Sequence, residues 1–169
     1  MEIGSLPITI RNVEPSDISI FFEQQLDPEA NRMAAFVRKD RQQRAVFDAH
    51  WNKILNSSQN ITKTIVAGEQ VAGHIACFPD GTNMEVTYWL GREFWGKGLA
   101  TKALNRMLDL VVDRPIFART AIDNIGSIRV LQKCGFKIVG KDKGFAEGRG
   151  KEIEEYILRL DLLKLENAK

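Results

Sequence analysis

Two cysteines, two histidines and no long apolar run are the first facts of this 169-residue sequence. Cys77 and Cys134 stand far apart without metal-ligand spacing, so a zinc framework is excluded and no metal is expected; two reduced thiols in a cytoplasmic protein are the expectation. No hydrophobic stretch is long enough to cross a bilayer. The opening residues MEIGSLPITI lack the basic and apolar regions of a secretory leader, so a chain that stays away from membranes is expected. Neither sign of charge dominates. Lys and Arg number 24 against 22 Asp and Glu, a net charge of +2. That balance supplies no field for a polyanion, and no nucleic-acid partner is expected. There is no internal repeat and no low-complexity segment, and the length suits a single domain over residues 1–169.

What is present is a clear sequence of elements. PITIRNV alternates and is β-branched, which predicts a first strand. EPSDISIFFEQQ predicts a helix entered at Pro15 and Ser16, with Ile18, Phe21 and Phe22 on one face. LDPEANRMAAFVRKD reads equally as loop or as a short irregular helix. RQQRAVFDAHWNKIL is a helix with a stripe of Phe47, Trp51, Ile54 and Leu55. NITKTIVAG, QVAGHIACF and NMEVTYWL then form an antiparallel meander, turning around Gly68-Glu69-Gln70 and around Pro79-Asp80-Gly81. LATKALNRMLDLVV is a helix with the stripe Ala100, Ala103, Leu104, Met107, Leu108 and Val111. The strand IFARTA follows it, in the order of a crossover unit with parallel strands. DNIGSIRVLQKC is a helix stopped by Gly135. FKIVGKD and IEEYILRLD close as a hairpin across a glycine-rich loop. The fold class is therefore α+β, or mixed α/β, with a central, mostly antiparallel sheet.

The segment WGKGLATKAL carries the chemistry. Glycine strips side chains from the chain where a helix is about to begin, and a helix start presents N–H groups without partners. Such a place favours an anion, most often a phosphate. Three loop types compete for it. GREFWGKG spaces glycines as in a P-loop, but Gly98 stands where the Mg²⁺-binding Ser or Thr is needed. Gly96-Lys97-Gly98 opens a dinucleotide fingerprint, but Thr101 takes the third glycine's place. The third type is [Gln/Arg]-x-x-Gly-x-[Gly/Ala], which cradles the pyrophosphate of coenzyme A. Gly98 and Ala100 match it, with Trp95 at the first position.

At these residues the sequence resembles the GNAT superfamily of N-acetyltransferases. It is closest in pattern to the branch of the ribosomal-protein N-terminal acetyltransferases and spermidine acetyltransferase. YWLGREFWGKGLATKAL resembles that branch's strand–loop–helix signature, and DNIGSIRVLQKCGF its second signature. The element order agrees over nearly the whole chain. The resemblance implies a GNAT-like fold with a splayed parallel pair of strands and acetyl-CoA as cosubstrate. It implies that Trp95, Gly96, Lys97, Gly98, Leu99, Ala100, Thr101 and Lys102 hold the pyrophosphate. The pantetheine arm is implied to run beside Trp89, Leu90 and Gly91, with an N–H there polarising the acetyl carbonyl, and to meet Asn124. A homodimer is consistent with the family.

Acetyl transfer to an amine needs a proton acceptor on the amine side and a polarised carbonyl. Glu85 lies five residues before Leu90, about 16 Å up the strand at ordinary rise. Many family members carry an acidic residue near this point, so Glu85 is the candidate base. Many also carry a tyrosine that reprotonates the leaving thiolate, where this chain has Leu131. Either Ser127 acts, directly or through water, or the thiolate leaves unassisted, which its modest pKa allows. His74, in the strand AGHIAC, is a further candidate base with a structural alternative. Met33, Phe36, His50, Trp51, Phe145 and Arg149 fall in the segments that shape the acceptor pocket of the resembling enzymes. The function expected is an acetyl-CoA-dependent N-acetyltransferase acting on a primary amine, small molecule or protein N-terminus. The alternative is a non-catalytic acyl-CoA-binding or sensing module on the same scaffold.

Overall fold

The computed structural model describes residues 2–161. Its frame is one seven-stranded sheet: β1 (Ile8–Asn12), β2 (Ile61–Ala67), β3 (Gln70–Asp80), β4 (Asn83–Leu90), β5 (Ile116–Ala121), β6 (Lys137–Ala146) and β7 (Lys151–Leu160), in the spatial order β1-β2-β3-β4-β5-β7-β6. Every neighbouring pair is antiparallel except β4 and β5. That pair is joined in register at only two positions, Met84 with Ile116 and Glu85 with Phe117. Beyond Glu85 the two strands part. The splay expected from the family pattern is therefore present, and it leaves one edge of residues 86–90 without a ladder partner.

Among the described residues, five α-helices flank the sheet: α1 (Asp17–Gln25), α2 (Pro28–Ala34), α3 (Arg44–Asn56), α4 (Leu99–Leu110) and α5 (Ile125–Lys133). The ambiguous segment after α1 is helix in its first part, as α2, and irregular chain from Ala35 onward. Asp27 caps α2 by accepting from the Glu29 N–H, and Pro28 sits at the first helical position, where its missing N–H costs nothing.

Alternation along the strands sorts the two faces. Val86 and Leu90 of β4 join Ile75 and Cys77 of β3 in the main core. The α4 stripe Leu99, Ala103, Leu104, Met107 and Leu108 packs there too, with Leu131 and Phe136 from α5 and its exit. His74 stands opposite Trp89 in the ladder, on the other face, where Phe21 of α1 and Trp51 of α3 pack against it. A buried carboxylate ties α1 to the sheet on that side. Asp17 accepts from Arg11 at 2.7 Å, from Thr64 at 2.7 Å and from the Glu14 N–H at 2.8 Å.

Three expectations are corrected. Leu55 does not belong to the buried stripe of α3; it is exposed on the last turn, because α3 meets the core chiefly through Trp51. The β3–β4 turn is not at Pro79-Asp80-Gly81. The ladder continues to Asp80 opposite Asn83, and Gly81, at φ 64°, opens a two-residue turn with Thr82. The last hairpin is also longer than FKIVGKD and IEEYILRLD implied, since pairing runs out to Ala146 with Lys151.

Candidate active site

The glycine loop behaves as its composition requires. Gly96 and Gly98 adopt φ of 69° and 75°, a region that costs an L side chain about 1–2 kcal/mol. A Cβ built on either one would project into open space, with nothing within 4 Å. Gly98 is the N-cap of α4, and no side chain caps the helix. The first intrahelical bond runs from Lys102 N–H to Gly98 O, so the N–H groups of Leu99, Ala100 and Thr101 precede the ladder. Bare backbone, an uncapped dipole end and the exposed Lys97 and Lys102 make a cradle that fits a pyrophosphate.

Not every residue of the loop turns toward that cradle. The Leu99 side chain is core, so only its backbone is available. The Trp95 indole folds back, and its Nε1–H donates to Leu90 O at 2.9 Å. Trp95 therefore pins the loop to the end of β4. Gly91 N–H is taken by Ala72 O at 2.9 Å, on the β3 side. Main-chain direction alternates along a strand, so the Leu90 N–H faces away from β3, into the gap beside β5.

Glu85 projects on the face opposite the main core. It pairs with Arg119 across the sheet at 3.7 Å, and Arg119 also holds Glu155 at 2.7 Å and Asp142 at 3.0 Å. Burial raises the Glu85 pKa; nearby Asp80 and Glu155 push the same way, and Arg119 opposes them. Ser127 lies in the first turn of α5 on the core face. Its hydroxyl is 3.1 Å from the Tyr88 hydroxyl, and its N–H donates to Asn124 Oδ1. Tyr88 is three residues past Glu85, so the two side chains leave β4 on opposite faces.

Asn124 is engaged at both ends of its amide, accepting from Ser127 N–H to cap α5 and donating to Met33 O at 3.2 Å. That bond belongs to a larger closure around the end of α2. Arg149 Nε donates to Arg32 O while its guanidinium grips Asp123 in a bidentate pair, and Gly148 N–H donates to Ala35 O at 2.8 Å. Ala35 is a fully buried non-glycine residue at φ 66°, ψ −59°, bridged by Phe36 N–H to Ala34 O at 2.7 Å. This is a γ-turn of the strained hand. Gly148 must be glycine, because an added Cβ would lie 2.2 Å from Asn31 O. Met33, Phe36, Asn124 and Arg149 are thus brought together.

The other acceptor-side candidates are not. Trp51 and His74 lie in an aromatic cluster with Phe21, rings 4.8–4.9 Å apart. Burial pushes the His74 pKa down to about 3, which leaves the ring neutral. His50 is on α3 beside Arg38, with its pKa lowered by burial and by that guanidinium. Phe145 is exposed; its neighbour Gly144 faces the Phe36 ring instead. The sequence reading missed Tyr88, Arg119 and Gln24. Gln24 Oε1 and Trp89 Nε1 are both buried without a hydrogen-bond partner. Their alternation pattern could have placed Tyr88 and Arg119 on a face, but not their partners. Among the described residues, no group of three or more His, Cys, Asp or Glu is placed to hold a metal ion, and no helix is long and apolar enough to cross a membrane.

Comparison with known proteins bears on this arrangement. Residues 8–137 match the model of the acetyltransferase (GNAT) domain. Over 89 residues the chain is 34% identical to an uncharacterized N-acetyltransferase p20 of Bacillus licheniformis, a match over 50% of this chain and 48% of that protein. The chain thus spans about half the length of that curated relative. Its fold is similar to spermidine N-acetyltransferase from Vibrio cholerae, solved with CoA and spermine (TM-score 0.75, 17% identity, 90% of this chain and 95% of that one). It is similar as well to Mycobacterium smegmatis RimJ, solved with CoA-disulfide (TM-score 0.77, 19% identity, 94% and 83%). With the family model covering most of the sequence and this fold beneath it, the chain belongs to the GNAT acetyltransferase domain family.

Proposed function

We propose that this protein is an acetyl-CoA-dependent N-acetyltransferase that moves an acetyl group to a primary amine, of a small molecule or a protein N-terminus, by direct attack. The observation that carries this reading is the parting of β4 and β5 beyond Glu85, with Glu85 on one face of β4 and the α4 cradle on the other. An acyl donor anchored at α4 and an amine held beside Glu85 would meet in the gap. Acetyl-CoA supplies the activated acyl group as a thioester.

The chain's own residues do the rest. The N–H groups of Leu99, Ala100 and Thr101 hold the pyrophosphate, with Lys97 and Lys102 adding charge. The Leu90 N–H, aimed into the gap, pairs with the pantetheine arm, and a gap-facing N–H nearer Glu85, that of Tyr88, polarises the acetyl carbonyl as its oxygen gains charge. Glu85 takes the amine proton, directly or through water. Its raised pKa makes it a stronger base than an ordinary carboxylate. Arg119 orients that carboxylate. The closure of Arg149 and Asn124 on the end of α2 forms one wall of the acceptor side.

The test is release of free thiol from acetyl-CoA with an amine panel of ribosomal-protein N-terminal peptides, polyamines and amino acids. Amine-dependent release is the expected result. Tight acetyl-CoA binding with no release for any amine would favour the non-catalytic acyl-CoA-binding module instead.

A further inference from the structure

The chain lacks the α5 tyrosine, and Leu131 at that position is core. A tyrosine nevertheless reaches α5 from elsewhere. Tyr88 leaves β4 three residues beyond the last position paired with β5, on the same face as α4 and α5. Its hydroxyl spans the space between the splayed strand and the first turn of α5, 3.1 Å from Ser127 Oγ. Glu85 is on the opposite face. The thioester sulfur, carried on a pantetheine arm that comes from the α4 cradle, would lie on the Tyr88–Ser127 side.

We propose that Tyr88 is a positioning residue for acetyl transfer: its hydroxyl donates to Ser127 Oγ and so turns the Ser127 O–H toward the departing sulfur. This rests on the acetyltransferase reading above. A serine hydroxyl left to itself rotates freely, and its proton position follows its partners. In α5 a competing partner is always near, because a serine in a helix can donate back to a main-chain carbonyl one turn earlier. A donor fixed on the Ser127 oxygen favours the orientation in which its own proton points outward. Burial raises the Tyr88 pKa, although the bond to Ser127 opposes this, so the phenol remains a protonated donor. The ring packs against the main core, which holds the hydroxyl in place.

The step balances without proton loss from either hydroxyl. The amine nitrogen forms the new C–N bond, and the C–S bond breaks with its electron pair going to sulfur. The amine proton passes to Glu85. The thiolate accepts a hydrogen bond from Ser127 and takes its proton from solvent on release.

The test uses the full chain and two readouts. In steady-state kinetics, Tyr88→Phe keeps the ring and removes the donor. It should lower kcat about tenfold, the worth of one oriented hydrogen bond, and leave KM for acetyl-CoA within about twofold. Ser127→Ala should lower kcat at least as much, and the double variant should be no slower than Ser127→Ala alone, since both act through one contact. The second readout is the thiol of bound coenzyme A, titrated by thiolate absorbance, with desulfo-coenzyme A subtracting the protein's own groups. In the wild type it should titrate about one pH unit below the thiol of coenzyme A free in the same buffer, and return toward that reference in both single variants. A Tyr88→Phe enzyme with wild-type kcat, or a bound thiol that titrates identically in all forms, would overturn the inference. If the wild type releases no thiol with any amine, the acetyltransferase reading fails by itself, and the titration still decides whether Tyr88 acts on the sulfur. If coenzyme A does not bind at all, both fail together.

Discussion

Replacing Gly98 by Val tests the anion cradle where it is most exposed to error. Two effects are expected, and they are separable. The first is backbone strain. Gly98 sits at φ 75°, where an L residue costs about 1–2 kcal/mol and a β-branched one stands at the upper end. For a chain of this size that corresponds to a melting temperature lower by roughly 2–8 °C. The second is loss of the ligand's place. The new side chain would enter the open space above the N–H groups of Leu99, Ala100 and Thr101. Losing a single charge-assisted hydrogen bond costs about 1.5–3 kcal/mol, so acetyl-CoA should bind more than tenfold more weakly. Gly81 provides the control. It has φ 64° and equally open surroundings, but it lies at the β3–β4 turn. Gly81→Val should show the same thermal loss and wild-type affinity. Isothermal calorimetry on both variants, alongside thermal melts, makes the comparison. A folded Gly98→Val protein that binds acetyl-CoA within about twofold of the wild type would refute the cradle, because the strain term alone does not touch affinity.

Three further outcomes are expected. Glu85→Gln should lower turnover by roughly 10²-fold with acetyl-CoA binding intact, and the pH profile should lose an acidic limb that lies above the ordinary carboxyl value of 4.5, since burial raises this pKa; wild-type turnover at neutral pH would make Glu85 structural. Asp17→Asn should cost about 3 kcal/mol in denaturant unfolding at neutral pH, because the buried carboxylate accepts from Arg11, Thr64 and the Glu14 N–H and an amide in its place turns a donor toward these donors. Burial would by itself raise the Asp17 pKa, but these partners outweigh it and the net shift is downward. The stabilisation is therefore present above the unfolded value, about 3.9, and is lost as pH falls through the lower folded value, a loss that the Asn variant should not show in an acid titration of stability. Ala35→Val should destabilise by roughly 3 kcal/mol, as it forces a β-branched residue into a buried positive-φ turn packed on Ala121 and Ala146, whereas Ala35→Gly should stay within about 1 kcal/mol. Equal unfolding midpoints for these two variants would show that the γ-turn stores no strain.

What the sequence by itself determined is local. A glycine pair before an apolar helix reports positive φ and an uncapped helix start within a few residues, so the loop at 95–102 was legible. So were the β2–β3–β4 meander and α4 with its stripe, whose periodicities arise from neighbours along the chain. The candidate base was legible as a position on a strand. Tertiary structure decided the rest, because alternation assigns a side chain to a face without naming what meets it there. Trp95 reads as a loop residue at the ligand, yet its indole turns back to Leu90. Trp51 reads as a pocket candidate and His74 as a candidate base, yet they complete an aromatic core with Phe21. Glu85 meets Arg119, Tyr88 meets Ser127 and Asp123 meets Arg149 across 34, 39 and 26 residues of chain. These contacts are created by the order in which the strands lie side by side and by the parting of β4 from β5, and neither is encoded in any short stretch of residues.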